Sequence, residues 1–233
     1  LSKAVYERNY MPGTLFDANT SLRAFVFPEG ITYMPAYFFR NCSNLSSVGL
    51  SSTMTSISAG GFQNCTSLTE ITLPESVTKL DIMAFRDCAS LKTINLDHIT
   101  QYGNLVFSGC TDLELDVTLP ADMTVIPSSL FAGCASIRSV TLPDNLTKID
   151  HDAFNGCSGI TEISIPESVT EIVYGAFAGT SISEVELPDG VKVLSPRIFK
   201  DCKNLRSVKF ADDITSIGSE TFRWTACESI IIP

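Results

Sequence analysis

The sequence predicts an α/β solenoid: a right-handed stack of about ten coils with parallel strands on one side and short 3₁₀ or helical turns opposite. Three observations lead there. One apolar pattern recurs at a fixed 23-residue interval along nearly the whole chain, the cysteines fall on that interval, and most phenylalanines occupy one slot within it. Apolar residues at such a fixed period mark a unit that cannot bury its own face and must stack on its neighbours.

The unit is clearest from Leu73 to Asn95 and reads L-P-x-x-V-T-x-I-x-x-x-A-F-x-x-C-x-x-L-x-x-I-x. Units begin at Phe27, Leu50, Leu73, Leu96, Leu119, Leu142, Ile165, Leu187 and Phe210. Residues 1–26 form a degenerate N-terminal repeat, with Phe16, Asn19, Leu22 and Phe25 in the matching slots, and residues 27–233 form nine repeats in a single solenoid domain.

The segment Leu68-Thr69-Glu70-Ile71-Thr72-Leu73 reads as a short strand, with Ile71 and Leu73 inward and Glu70 and Thr72 outward by two-residue alternation. Proline follows at Pro28, Pro74, Pro120, Pro143, Pro166 and Pro188, where its fixed φ and missing N–H end the ladder. After a turn, V-T-x-I forms a second extended segment. Threonine recurs there at Thr32, Thr55, Thr78, Thr100, Thr124, Thr147, Thr170 and Thr215, with Lys192 the exception. A hydroxyl column can bond along the stack. It does not read as an ice-binding face, because the residue two further on is apolar, as at Leu80, Ile126 and Ile149.

The segment A-F-x-x-C-x-x-L spaces apolar groups by three, which suits a 3₁₀ or helical turn. Ten of the 14 phenylalanines share its slot: Phe16, Phe39, Phe62, Phe85, Phe107, Phe131, Phe154, Phe177, Phe199 and Phe222. A packed core is the default reading of such a stripe, ahead of a hydrophobic ligand channel.

The 8 cysteines would suggest disulfides in a secreted protein. Cys42, Cys65, Cys88, Cys110, Cys134 and Cys157 instead fall 23, 23, 22, 24 and 23 residues apart. Stacked segments about 4.8 Å apart, with parallel Cβ directions, exceed the Cβ separation a disulfide prefers. Buried free thiols are therefore expected. Thr180 and Thr225 replace cysteine in the units from Ile165 and Phe210, each of which loses a residue there, and the unit from Leu96 loses one before Ile99 and regains it at Glu114–Val117. Bulges or exposed loops are expected at these breaks.

A net charge of -10 argues against nucleic acid and anionic membranes as partners, since both require Lys and Arg to displace counterions. No apolar run approaches the roughly 18 residues of a membrane span. Leu1–Glu7 lack the charged-then-apolar layout of a signal peptide, as expected of a mature or trimmed form. Neither Leu15-Phe16 nor Ile230–Ile232 reads as a polar cap, so either the native chain continues or the ends associate in end-to-end self-association.

The in-phase recurrence of Leu73-Pro74, Val77-Thr78, Ala84-Phe85, Cys88, Leu91 and Ile94 resembles the BspA-type leucine-rich repeats of surface proteins from Bacteroides-like and other host-associated bacteria. The resemblance runs from about Leu15 to Pro233. It implies a leucine-rich-repeat-type stack at the cell surface or outside the cell, with adhesion to host extracellular protein or glycan. It supplies no catalytic residue, cofactor or metal.

Chemistry is otherwise sparse. His98 and His151 lie in no metal-ligand spacing, and both read as solvated turn residues rather than as metal or pH-sensitive sites. No nucleophile elbow, phosphate loop or zinc motif is present, so an enzyme is not expected. The outward strand positions are the candidate binding surface: Glu70, Thr72, Thr93, Asn95, Asp116, Thr118, Ser139, Thr141, Glu162, Ser164, Glu184, Glu186, Ser207 and Lys209, with Ser47 and Gly49 before them. A passive solvated face is the competing reading. Asn9-Tyr10-Met11, and Trp224 with Cys227, are candidate end-capping contacts. For the chain as a whole, a recognition module and a structural spacer remain the two alternatives.

Overall fold

The computed structural model describes residues 13–232; Asn9-Tyr10-Met11 and Pro233 lie outside them. The chain forms two compact units, Leu1–Leu113 and Glu114–Pro233. In the first, β1 (Ala24–Val26), β2 (Ser47–Gly49), β4 (Glu70–Ile71) and β6 (Thr93–Ile94) form one strand column, and β3 (Ser56–Ile57), β5 (Lys79–Leu80) and β7 (Gln101–Tyr102) a second. In the second unit, β8 (Asp116–Thr118), β10 (Ser139–Thr141), β13 (Glu184–Glu186) and β15 (Ser207–Lys209) belong to the first column, and β9 (Val125–Ile126), β11 (Lys148–Ile149), β12 (Glu171–Ile172), β14 (Val193–Leu194) and β16 (Ser216–Ile217) to the second.

Every pairing is parallel and links equivalent positions of successive coils, as in Ile71↔Ile94, Val117↔Val140 and Ile149↔Ile172. Such a register is expected when the repeat length alone sets the pairing, because a one-residue slip would turn every core residue outward. The strands define about eight turns rather than the ten expected. Glu162–Ser164 keep their place in the repeat but form no strand; the next coil is one residue shorter, so Val185 follows Ile163 by 22 residues instead of 23.

The expected α/β character is a second correction: the described residues contain no α- or 3₁₀-helix. The three-residue spacing is real, and Arg86 N–H bonds the Met83 carbonyl at 3.1 Å while Cys88 N–H bonds that of Phe85 at 3.1 Å. A helix requires consecutive right-handed residues, however, and each coil inserts a positive φ two residues before and two after its phenylalanine. Around Phe85 these are Met83 (φ 58°) and Asp87 (φ 59°); around Phe199 they are Arg197 (φ 63°) and Asp201 (φ 62°). Helical hydrogen bonding therefore never propagates past one turn. The alternate N–H groups point along the stack instead, and Met83, Phe85 and Asp87 donate to the carbonyls of Asn104, Val106 and Ser108 at 2.9, 2.9 and 2.7 Å. The turn side is thus a third intercoil ladder beside the two strand columns.

The core follows the repeat. Phe39, Phe62, Phe85 and Phe107 are fully buried in one unit, and Phe131, Phe154, Phe177 and Phe199 in the other. Successive rings are nearly parallel, 5.2 Å and 7° apart for Phe62–Phe85 and 5.7 Å and 3° for Phe154–Phe177. At the start of the first unit the regular stack gives way to an edge-to-face cluster of Phe16, Phe25, Phe27, Phe38 and Phe39. Phe38 there fills the slot that Ala84 holds in the clearest unit.

All eight cysteines are free thiols, and seven of them are buried. Where a cysteine follows in the next coil, the Phe carbonyl takes two donors, one per lone pair. The Phe62 oxygen accepts the Cys65 N–H of its own coil at 3.1 Å and the Cys88 thiol of the next at 3.0 Å. The same thiol contact recurs from Cys65 to Phe39 (3.2 Å) and from Cys157 to Phe131 (3.0 Å). A small, weakly polar donor suits this buried position, where a methyl group would leave the second lone pair empty. Where threonine replaces cysteine, the Thr180 hydroxyl turns to the Phe177 carbonyl of its own coil at 2.9 Å. Burial pushes the thiols far above their ordinary range at Cys65 and Cys88, and up to about 12 at Cys157.

Two outcomes follow. Phe85→Ala should lower stability by about 3–5 kcal/mol in a denaturant titration, because the rings on either side hold the cavity open. A thiol-reactive chromogen applied to the native protein should modify the half-buried Cys227 and leave the seven buried thiols untouched until denaturant is added.

Candidate functional site

The first strand column presents its outward residues to solvent by alternation. Glu70, Thr72, Thr93, Asp116, Thr118, Ser139, Thr141, Glu162, Ser164, Glu184, Glu186, Ser207 and Lys209 are all exposed. In the first unit Glu70 lies opposite Thr93. In the second, Asp116 lies opposite Ser139, Thr118 opposite Thr141, Glu184 opposite Ser207 and Glu186 opposite Lys209. Each unit presents its own outward surface.

Asn95 is the exception. It is half-buried, its amide oxygen accepts the Leu73 N–H at 2.7 Å, and its amide nitrogen donates to the Leu73 carbonyl at 2.9 Å. These bonds continue the β4–β6 ladder by one residue where the backbone pairing stops. Asn95 is therefore a structural residue, contrary to its expected place on the binding face.

The remaining polar groups divide into paired and unpaired sets. Ser139 donates to Asp116 Oδ1 at 2.5 Å. Lys209 forms an ion pair with Glu186, and the hydrogen bond to that carboxylate holds its ammonium group above the usual lysine range. Glu70, Glu162 and Glu184 make no hydrogen bond or ion pair among the described residues. Beside this face, an open depression of about 440 Å³ in the second unit is lined by Glu114, Ser136, Arg138, Gly159 and Thr161. Gly159 is required there, since a Cβ would come within 2.4 Å of the Ile137 carbonyl oxygen.

The threonine column bonds along the stack, but to backbone. Thr100, Thr147 and Thr170 donate to the carbonyls of Thr78, Thr124 and Thr147 at 3.3, 3.0 and 3.4 Å. Their hydroxyls are thus largely committed to the ladder. His151 is exposed, with Nδ1 2.7 Å from Asp150 Oδ1, as a solvated turn residue would be. His98 departs from expectation: it is half-buried, and its Nε2 is enclosed without a hydrogen bond among the described residues. No three His, Cys, Asp or Glu side chains converge as metal ligands among the described residues.

Sequence reasoning also missed a group on the turn side of the second unit, where Tyr174, Arg197, Lys200, Glu220, Arg223 and Trp224 meet through contacts between coils. The available signal was the appearance of Arg197 and Trp224 in slots that neighbouring coils give to Gly175 and Gly179.

Parallel strands in repeat register, an inward phenylalanine in every coil and a polar outer column define a solenoid of leucine-rich-repeat type. The chain belongs to the BspA-type leucine-rich repeat family, whose repeat region is matched by residues 10–138 and 124–233 in 6 copies. No curated protein shows significant similarity to it. Among solved structures, a leucine-rich repeat protein from Bacteroides ovatus is similar at 22% identity and a TM-score of 0.79, over 96% of this chain and 70% of that one. A leucine-rich cell surface protein from Faecalibacterium prausnitzii is 23% identical with a TM-score of 0.64, over 87% of this chain and 65% of that one. The pneumococcal vaccine antigen PcpA is 20% identical with a TM-score of 0.61, over 91% of this chain and 61% of that one. This chain therefore spans about two thirds of the length of these proteins, and the likeness is one of fold.

The assignment of Asn95 has a direct test. Asn95→Ala should lower stability by about 1–3 kcal/mol through loss of both bonds to Leu73, whereas Thr93→Ala, exposed on the same strand, should change it by no more than about 0.5 kcal/mol.

Proposed function

We propose that this chain is a recognition module of a bacterial surface protein, binding an extracellular protein or glycan through the outward residues of the first strand column, without cofactor or catalysis. The observation that carries this reading is the set of carboxylates left unpaired there. Glu162 and Glu184 stand exposed in the second unit, beside the hydroxyls of Ser164 and Ser207 and next to the depression lined by Arg138 and Thr161. Glu184 is held by the β13–β15 ladder rather than by a loop, so a ligand that binds it loses little further conformational entropy. Polar contacts repeated from coil to coil suit multivalent attachment, in which modest individual affinities combine.

Membership of the BspA-type family supports a surface repeat module, and the F. prausnitzii protein is itself described as a cell surface protein. The exposed acid groups favour a partner that offers cations or hydrogen-bond donors. The competing role, a spacer in a larger surface protein, requires no ligand at all.

The test is binding of the intact chain to immobilised extracellular matrix proteins and mucin glycans. Saturable binding that weakens with salt is expected, and Glu162→Lys combined with Glu184→Lys should reduce it by about tenfold or more with an unchanged melting temperature. Unaltered affinity in that double variant would remove the strand face from consideration, and failure to bind any partner would favour the spacer.

A further inference from the structure

The turn side of the second unit carries a cationic and aromatic cluster that the strand-face reading does not use. Glu220 is its centre, with Arg197 Nε at 3.0 Å, Lys200 Nζ at 3.3 Å and Arg223 Nη1 at 3.4 Å from its carboxylate oxygens. Two aromatic rings flank these cations. Arg197 donates to the Tyr174 hydroxyl and lies over that ring, with its Cζ 5.4 Å from the centroid. Arg223 Cζ stands 4.0 Å, and Lys200 Nζ 5.3 Å, from the centroid of the Trp224 ring. Three cations share one carboxylate, which leaves a local excess of positive charge in a chain whose net charge is -10.

Two features set this cluster apart from an ordinary surface network. Trp224 is the only tryptophan of the chain and remains 58% exposed. It also occupies a positive-φ slot (φ 61°), which Gly133, Gly156, Gly179 and Asp201 fill in earlier coils of the unit. A bulky side chain in that conformation carries backbone strain that glycine would avoid. Strain of this kind persists where the projecting side chain has a use.

We propose that this cluster binds a glycan whose terminal sugar bears a carboxylate. The exposed indole offers a negative ring face to the C–H face of a pyranose, and the Arg223 guanidinium, which meets Glu220 through Nη1, offers its other N–H groups as paired donors to a single carboxylate. Peptide capture by strand addition or in a groove requires a free strand edge or an apolar channel, whereas this cluster sits on turns. A nucleic acid or other polyanion would be repelled by the rest of the chain, whereas a single charge is met only by the local excess. The proposal is independent of the strand face, and each can fail without the other.

The lone tryptophan makes the test specific, since its fluorescence reports this cluster alone. Titration of the intact chain with sialyllactose should give a saturable emission change, and lactose should give none. Arg223→Gln, which keeps the fluorophore, should weaken binding by about tenfold, with Arg223→Lys intermediate because it retains charge but not the planar fork. Both variants should match the parent in thermal melting. Absence of a saturable change, an equal response to lactose, unaltered affinity in Arg223→Gln, or a response only to polyglutamate or a heparin oligosaccharide would each overturn the assignment.

Discussion

Within each unit the phenylalanine of one coil stacks on the phenylalanines of the coils beside it. Ring centroids 5.2–6.1 Å apart along Phe39–Phe107 and Phe131–Phe222 show that no coil completes its own core. The remaining features serve this contact. The strand columns hold successive coils in register on one side, and the alternating N–H groups of the turn segments do so on the other. Between them, where a cysteine follows in the next coil, the Phe carbonyl is closed by a backbone N–H of its own coil and a thiol of the next, as at Phe39, Phe62, Phe85 and Phe131.

That demand explains the backbone of the turn side. A helical turn would direct its N–H groups back along its own axis, where they could not reach the next coil. Paired positive-φ residues flanking each phenylalanine turn every second N–H along the stack instead, at a conformational cost lowest for Gly, Asn and Asp. Most coils place small or polar residues in these slots. In the slot two residues after the phenylalanine, Trp224 is the departure, since the other coils place Ala, Asn, Asp or Gly there.

Because the inward positions are committed to stacking, chemical variety is confined to outward ones, and even there much is committed to backbone. The threonine hydroxyls and the Asn95 amide look free in one dimension but close ladder bonds in three. What remains open to a partner is limited to unpaired carboxylates on the strand side and to the cation–aromatic group on the turn side. These two surfaces differ in charge.

The repeat length, the identity of the core residues and the reduced state of the cysteines were all legible in the sequence. Each depends only on which residues recur every 23 positions, and recurrence at a fixed period dictates what stacks on what. The outward face of the first strand column was legible for the same reason, by alternation. What the tertiary structure alone decided were the properties set by the neighbouring coil. Whether a three-residue spacing becomes a helix or a laddered turn depends on where its N–H groups find acceptors. Whether Asn95 faces a ligand or a backbone depends on where the strand pairing stops. Whether Arg197, Glu220 and Trp224 form one cluster depends on contacts across 23 residues or more, which no local pattern contains.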